Sequence, residues 1–431
     1  MNDIIIILFI IFFSLLIINM PIAFVLGVTG IISFLILNDM SLIIAAQKII
    51  SPTQSFTFLA VPFFLIAGNI MNHTGITKRI VKFATIISGH MVGGLAQVSL
   101  IVSALMGGIS GSAVADAAME ARFLGPSMIK SGYSKGFTSV VLSFGGLITA
   151  TIPPSLGLIV YGYIGEVSIG KLFVAGIIPG ILLTIIFMVT THFISIKRGY
   201  KPIRQKAPDF NEILESTKDS IWALLFPILL IFGIRFGIFT PSEAGAFAIV
   251  YAIIIGKYVH KELKFKELFK ILDSSIKDNG NIMAIVTYAG IFGFVSPYIG
   301  IPQVTKILLM SISNDRYIIL ITILTFLLIM GMLMEATVNT LLFTPIFLPV
   351  IIDLGFDPIF YGILQMTIIT SGCMTPPVAV SMFSVCSILE CPTSDYIREC
   401  IPYIISIIIF VLVLIIFPDI ILFLPNQLYP K

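Results

Sequence analysis

The chain has 431 residues, of which 58% are hydrophobic and 11% charged, and its mean hydropathy is +1.09. A soluble domain carries about a quarter charged residues, so the composition excludes a soluble globular protein and predicts an all-α polytopic membrane protein in a lipid bilayer. The net charge of +3 says little by itself, and no nucleic-acid partner is expected.

In chain order, the first apolar run, IIIILFIIFFSLLII (4–18), has no basic residues ahead of it and no small-residue cleavage site. It is read as a retained span rather than a signal peptide. A spanning helix needs about 20 mostly apolar residues. Ten crossings are predicted, at about 3–19, 20–38, 56–72, 134–165, 169–196, 217–236, 242–258, 279–297, 356–390 and 397–424. Two further apolar regions, about 91–130 and 316–350, carry polar and small residues in their middles. These are predicted as re-entrant hairpins, each entering and leaving on one side. The most basic stretches, KRGYKPIRQK (197–206) and KYVHKELKFKELFK (257–270), belong in the cytoplasm by the positive-inside rule. Following parity outward, both termini are predicted outside. Cys373, Cys386, Cys391 and Cys400 show neither CxxC nor zinc spacing and are read as small apolar fillers. His73, His90, His192 and His260 fall near segment ends without ligand spacing. Arg235, Glu166 and Glu243 sit close to predicted membrane edges and are read as snorkelling or loop residues.

The chain also matches itself at an offset of 223. Gly108 meets Gly331, Pro126 meets Pro349, Gly132 meets Gly355, Phe137 meets Phe360, and Pro153-Pro154 meets Pro376-Pro377. Such self-similarity is the mark of a duplication. The halves are 1–206 and 207–431, each with five crossings and one hairpin. Five is odd, so the second half starts on the opposite face and the repeats are inverted, an architecture of secondary transporters.

Each half breaks a long apolar segment with a proline pair, at 153–154 and at 376–377. One interior proline already costs a helix about 3 kcal/mol. Broken backbone at membrane depth is tolerated only where protein buries it or it lines a wet cavity. Its freed carbonyls, with hydroxyls such as Thr149, Thr151, Ser155 and Thr375, suit a hard cation such as sodium, while half-helix N-termini attract anions. The alternative is a simple helix kink, which a single proline pair would favour.

The hairpins supply the rest. MGGISGSAVADAAMEARFLGP (106–126) has its polar tip at Ser110-Gly111-Ser112, with Asp116 and Glu120 following on one helical face. Its mate is GMLMEATVNTLLFTPIFLP (331–349), with the tip Glu335-Ala336-Thr337-Val338-Asn339. Ser112 meets Glu335 and Asp116 meets Asn339 at the same offset. Ionisable groups inside a membrane are functional by default. A structural role stands beside this for each: Asp116 could pair with Arg122 or cap a helix, and Glu335 could orient neighbouring amides. Each tip is expected to meet the proline break of its own half, making two cation sites with a polar substrate between them. Ser110, Ser112, Asp116, Ser155 and Asn339 are the candidate substrate contacts.

GGISGSAVADAA (107–118), GPSMIKSGYSKGF (125–137), ATIPPS (150–155), TPIFLPVIIDLGFDPIFYGILQMTIITSGCMTPPVAV (344–380) and INMPIAFVLGVTG (18–30) together resemble the large membrane subunit of tripartite ATP-independent periplasmic (TRAP) transporters. The resemblance runs over nearly the whole chain. It implies an elevator-type ion-transporter fold with a scaffold and a mobile transport domain, in a bacterial inner membrane. It implies sodium-driven uptake of an organic acid such as a C4-dicarboxylate, sialic acid or a related sugar or keto acid, with Na+ as the coupling ion and no organic cofactor. Two partners are implied: a periplasmic substrate-binding protein and a small four-helix membrane subunit on a separate chain. By motif, the first sodium site takes Ser110, Ser112 and the backbone from Thr151 through Pro153 to Ser155. The second takes the tip Glu335, Thr337 and Asn339 with Gly372, Thr375 and Pro376. Asp116 would lie close to the substrate. The tip MEATVN matches the family pattern less well than the first hairpin does.

The nearest rival is a stand-alone sodium/carboxylate symporter of the same broad fold class, which needs no binding protein. An intramembrane enzyme is not expected, because the chain has neither an HExxH pair nor a GxGD aspartate pair. An ATP-driven permease would not need the paired hairpins, and the chain has no P-loop. A channel fits paired repeat sites less well than alternating access does.

Overall fold

A computed structural model describes residues 2–18, 20–37 and 41–429. The predicted span ends at 19 and 38, and both chain ends at 1 and 430–431, lie outside the described residues. Every regular element among the described residues is a helix. The first half holds α1 (Asn2–Ile17), α2 (Ile22–Leu37), α3 (Leu42–Ile50), α4 (Ala60–Asn72), α5 (Ile76–Ser88), α6 (Gly94–Gly107), α7 (Ala113–Phe123), α8 (Gly125–Lys130), α9 (Lys135–Thr151), α10 (Leu156–Ile164) and α11 (Ile169–Arg198). The second holds α12 (Phe210–Arg235), α13 (Pro241–Ile254), α14 (Phe265–Tyr298), α15 (Ile301–Ile312), α16 (Arg316–Leu333), α17 (Ala336–Asp353), α18 (Pro358–Gly372), α19 (Val380–Leu389), α20 (Thr393–Ile416) and α21 (Asp419–Leu428).

Landmarks recur at the offset of 223. Gly132 and Gly355 both have left-handed backbone, at φ +89° and +78°, just before a helix begins. Two residues later Ser134 caps α9 through Phe137 N, and Asp357 caps α18 through Ile359 N and Phe360 N. Short polar side chains at such positions satisfy amides that have no partner inside the helix. Both proline pairs have a cis peptide bond.

Among the described residues, seven helices are long and apolar enough to cross a membrane, or up to nine if each bent pair counts once, against ten predicted crossings. The difference lies in particular helices. α1 and α2 have 16 residues each, short of a full span. The hairpin arms α16 and α17 pass the same test, so length does not separate a crossing from an arm. The crossing predicted at 56–72 is really the second limb of a bent pair, because Leu42–Gln54 precedes it at 52°. Ser51, Pro52, Gln54 and Ser55 interrupt the apolar run there and hide the first limb. α14 is 34 residues long and starts well before the predicted 279. α5 and α15 lie outside every predicted span. They are amphipathic: α5 buries Ile76, Ile80 and Ala84 at four-residue spacing, the stripe that seats a helix on a core.

The helices pack in two groups. α14 runs along α2, α3 and α4, and α13 pairs with α4. In the other group α9 touches α18, α7 packs on α9 and α19, and α17 packs on α10 and α18, with α11 against α20. Each hairpin therefore meets the broken helices of both halves. Glycines permit this closeness, since small residues let membrane helices approach. Gly362 of α18 falls at one of these crossings, against the Tyr161 ring of α10. Tyr161 donates its hydroxyl to the Pro358 carbonyl at 2.6 Å. Outward, Ile181, Ile185, Val189 and Phe193 of α11 form an exposed apolar stripe, as do Ile401, Ile405, Ile408 and Leu412 of α20. In a bilayer these stripes face lipid.

Candidate functional site

The first hairpin consists of α6 and α7. The amides of Ile109 and Ser110 bond back to the Met106 carbonyl and close the end of α6. Gly111 then turns the chain with φ +62°. A Cβ there would run into the Pro154 carbonyl and lie 2.9 Å from Ser155 Cα. The Gly111 carbonyl instead accepts the Leu156 amide at 3.4 Å. One turn deeper, Thr149 Oγ1 donates to the Ser103 carbonyl at 3.0 Å. The structure thus brings tip Ser110-Gly111-Ser112 against the Pro153-Pro154 break, as the sequence predicts.

Asp116 is fully buried. Its Oδ1 accepts the Ser110 hydroxyl at 2.5 Å, and its Oδ2 has no partner. The alternative pairing with Arg122 does not occur, since Arg122 is exposed. Asp116 lies in the first turn of α7, where the helix N-terminus favours an anion. Ser112 is the N-cap of α7 but makes no side-chain cap. Ser155 is buried and caps α10 through Leu158 N at 3.5 Å. Thr151 donates its hydroxyl to the Leu147 carbonyl at 2.8 Å. Pro153 is buried.

The second hairpin, α16 and α17, is held differently. Glu335 is the N-cap of α17: Oε2 accepts the amides of Thr337 at 2.8 Å and Val338 at 3.4 Å, and Oε1 accepts the Thr337 hydroxyl at 3.1 Å. The carboxylate orients amides, which is the structural alternative named above. Asn339 Nδ2 donates to the carbonyls of Met330, Met334 and Glu335, at 3.0 to 3.3 Å. Its amide nitrogen closes the turn, leaving buried Oδ1 as the unpartnered atom. Behind the tip, the Ala379 amide donates to the Met332 carbonyl at 2.9 Å. Gly372 packs on Gly331, and Thr375 donates to the Ser371 carbonyl at 2.8 Å. Pro376 is half-buried and Pro377 exposed, whereas both prolines of the first break are buried.

The two clusters join through the helices between them. Ser143 of α9 and Ser381 of α19 hydrogen-bond at 3.0 Å, and Gly146 faces the Ala113 carbonyl and Met374. No described hydrogen bond links Asn339 to Ser110, Ser112, Asp116 or Ser155. Among the described residues no three His, Cys, Asp or Glu side chains gather as a metal cage. The donor set is backbone carbonyl, hydroxyl and two orphan oxygens, Asp116 Oδ2 and Asn339 Oδ1. Oxygen donors of this kind fit a hard monovalent cation as cargo.

Sequence reasoning missed a cavity of about 670 Å3 between the two helix groups, lined by Lys48, Tyr163, Glu166, Gly290, Thr344 and Asp353 among others. Lys48 Nζ sits 4.3 Å from the centre of the Phe294 ring and joins no ion pair among the described residues. A lone lysine in the apolar stretch 42–50 is the signal that could have found it. Arg235 stacks on Tyr429, Glu243 completes a capping box with Thr240, and Glu166 lies in a turn, as their edge positions suggest. The four cysteines are buried and free.

Residues 9–420 match the family described as tripartite ATP-independent periplasmic transporter, DctM component. The chain is 33% identical over 405 residues to the 2,3-diketo-L-gulonate TRAP transporter large permease protein YiaN of Escherichia coli, covering 94% of this chain and 95% of that one. It is 32% identical over 413 residues to the sialic acid TRAP transporter large permease protein SiaM of Vibrio cholerae, covering 96% of each. It is also 32% identical over 403 residues to the C4-dicarboxylate TRAP transporter large permease protein DctM of Pseudomonas aeruginosa, covering 94% of each.

Proposed function

The chain belongs to the DctM-component family of tripartite ATP-independent periplasmic transporters, a family of transporter permease components rather than enzymes, and from that premise we propose that it carries an organic acid inward, driven by sodium. The observation that carries this reading is the seating of each hairpin against the broken segment of its own half, through Gly111–Leu156 at the first tip and Met332–Ala379 just behind the second. Each hairpin also holds one buried unpartnered oxygen, Asp116 Oδ2 in the first and Asn339 Oδ1 in the second. Sodium binds there first and orders the tips, and the substrate completes the site. The recurrence of caps, turns and breaks at the offset of 223 supports an inverted duplication. The group α6–α11 with α16–α21 is then the moving body, and the group of α2–α4 with α13 and α14 is the scaffold. Each charge carried across involves about 2.3 kcal/mol per 100 mV, so more than one sodium per anionic substrate makes uptake electrogenic. A periplasmic binding protein delivers the acid and a separate small membrane subunit supports the scaffold, in a bacterial inner membrane with both termini outside. The substrate class spans those of the relatives: C4-dicarboxylates, sialic acid and keto sugar acids.

The test is uptake into proteoliposomes holding this chain and its small subunit, with sodium gradient and binding protein each present or absent. Uptake that needs both is expected. Uptake with sodium alone would mean a stand-alone symporter, and uptake indifferent to sodium would sink the cation sites.

Lys48 belongs to the same reading. A half-buried ammonium without a counter-ion in a cavity between scaffold and moving body suits a passing carboxylate. A hydrogen bond to a charged group contributes about 1.5–3 kcal/mol. Lys48→Gln is therefore expected to raise the half-saturating substrate concentration roughly tenfold at an unchanged thermal midpoint. Unchanged saturation would remove Lys48 from the substrate's path.

A further inference from the structure

Glu120 follows Asp116 by one turn on α7, and nothing in the sodium-driven reading uses it. It is 2% exposed. Its Oε1 lies 2.8 Å from Ser103 Oγ of α6, and the same Oγ lies 3.0 Å from the Ser99 carbonyl. Its Oε2 has no hydrogen-bond partner. No ion pair among the described residues includes it. Gly145 of α9 makes room for the pair, since a Cβ there would press on Ser103 Oγ and lie 3.8 Å from Oε2.

The hydrogens decide the charge. A serine hydroxyl has one hydrogen, and an ionised carboxylate only accepts. With Glu120 ionised, Ser103 could serve either Ser99 or Glu120, not both. The carboxylate would then hold at most one donor for its two oxygens, with no cation beside it. Desolvating such a group costs several kcal/mol. With Glu120 neutral, Oε1–H donates to Ser103 Oγ, whose own hydrogen goes to the Ser99 carbonyl. Both short contacts are then satisfied at once, and only a carbonyl-type oxygen is left without a partner.

We propose that Glu120 is a proton-binding site inside the first hairpin, and that the substrate-carrying form of the protein requires its proton. The proton comes from water: hydronium protonates the carboxylate and leaves as water, and release reverses this. The proposal rests on the transport reading for its purpose, which is to remove a negative charge from the moving body. Other groups around it are few. Asp116 shares its face one turn earlier. On packed neighbours, α6 has no titratable side chain, α8 and α9 have Lys130 and Lys135 at their ends, and α19 has Cys386. Lys135 is spent on the Glu390 carbonyl at 3.1 Å.

Two measurements test it. In infrared spectra of the purified protein at neutral pH, a protonated-carboxyl band is expected that Glu120→Gln removes. A band of equal strength in that variant overturns the proposal, whatever uptake does. In proteoliposomes at a fixed sodium gradient, uptake should fall about tenfold per pH unit once Glu120 titrates, and Glu120→Gln should flatten that profile. Ser103→Ala removes the proton's acceptor and should move the alkaline loss to lower pH. A move to higher pH would mean that Ser103 donates to an ionised Glu120, and would overturn the proposal. The infrared band without any sodium-driven uptake supports the proton site and sinks the transport reading instead.

Discussion

Asp116→Asn is expected to lower sodium-driven uptake by about two orders of magnitude while the protein stays folded. Asn has nearly the same shape, so packing against α9 and α19 survives. What changes is charge and hydrogen-bond sense. Asp116 Oδ1 accepts the Ser110 hydroxyl at 2.5 Å, and Oδ2 is an orphan in a fully buried site. With sodium bound and Asp116 ionised, losing a hydrogen bond to a charged group costs about 1.5–3 kcal/mol, and stranding a buried donor adds about 1–3 more. Three kcal/mol is a little over a hundredfold. If the orphan oxygen helps to hold sodium, the half-saturating sodium concentration rises along with the loss of rate. Initial uptake rates across a sodium series would show both effects. Wild-type rate with wild-type sodium dependence would remove Asp116 from the ion site.

The first hairpin was more legible in the sequence than the second, for a physical reason. Its tip is written in residues whose role follows from their type: Gly111 for left-handed backbone against a carbonyl, Ser110 beside Asp116, and Ser155 opening α10. At the second tip the polar side chains are turned inward. Glu335 caps its own helix, and the Asn339 nitrogen reaches back to three carbonyls. No spacing distinguishes a carboxylate that caps from one that binds a cation. The bent α3–α4 pair was hidden because Pro52 and its polar neighbours resemble a loop. α5 and α15 were hidden because a half-buried amphipathic helix lacks the unbroken apolarity of a span. The Lys48 cavity depends on the packing of distant segments, which periodicity does not report.

Gly372→Val is expected to abolish uptake and lower the thermal midpoint, the largest effect anticipated for a residue without a functional group. A Cβ on Gly372 would lie 2.6 Å from Gly331 C and from the Leu328 carbonyl oxygen, and one on Gly331 would lie 3.1 Å from Gly372 Cα. These neighbours are backbone on both sides, so no side chain can swing away. The added carbons must push α16 off α18, and overpacking costs about 1–3 kcal/mol and occasionally more. Gly280→Val is the control, because a Cβ at that position of α14 meets nothing within 4 Å. Equal loss in both variants would mean that valine in a helix, not the close approach, is responsible. At the offset of 223, Gly372 corresponds to Thr149, which holds the first hairpin by a 3.0 Å hydrogen bond to Ser103. Thr149→Val removes that bond at similar volume and should cost only about 1 kcal/mol. At this pair of equivalent positions the first hairpin is tied by a hydroxyl that can be given up and the second by contact of bare backbones, while the first hairpin's own bare-backbone contact lies at Gly111. If the hairpins travel as one body, as proposed above, that body will fail first where the contact cannot adjust.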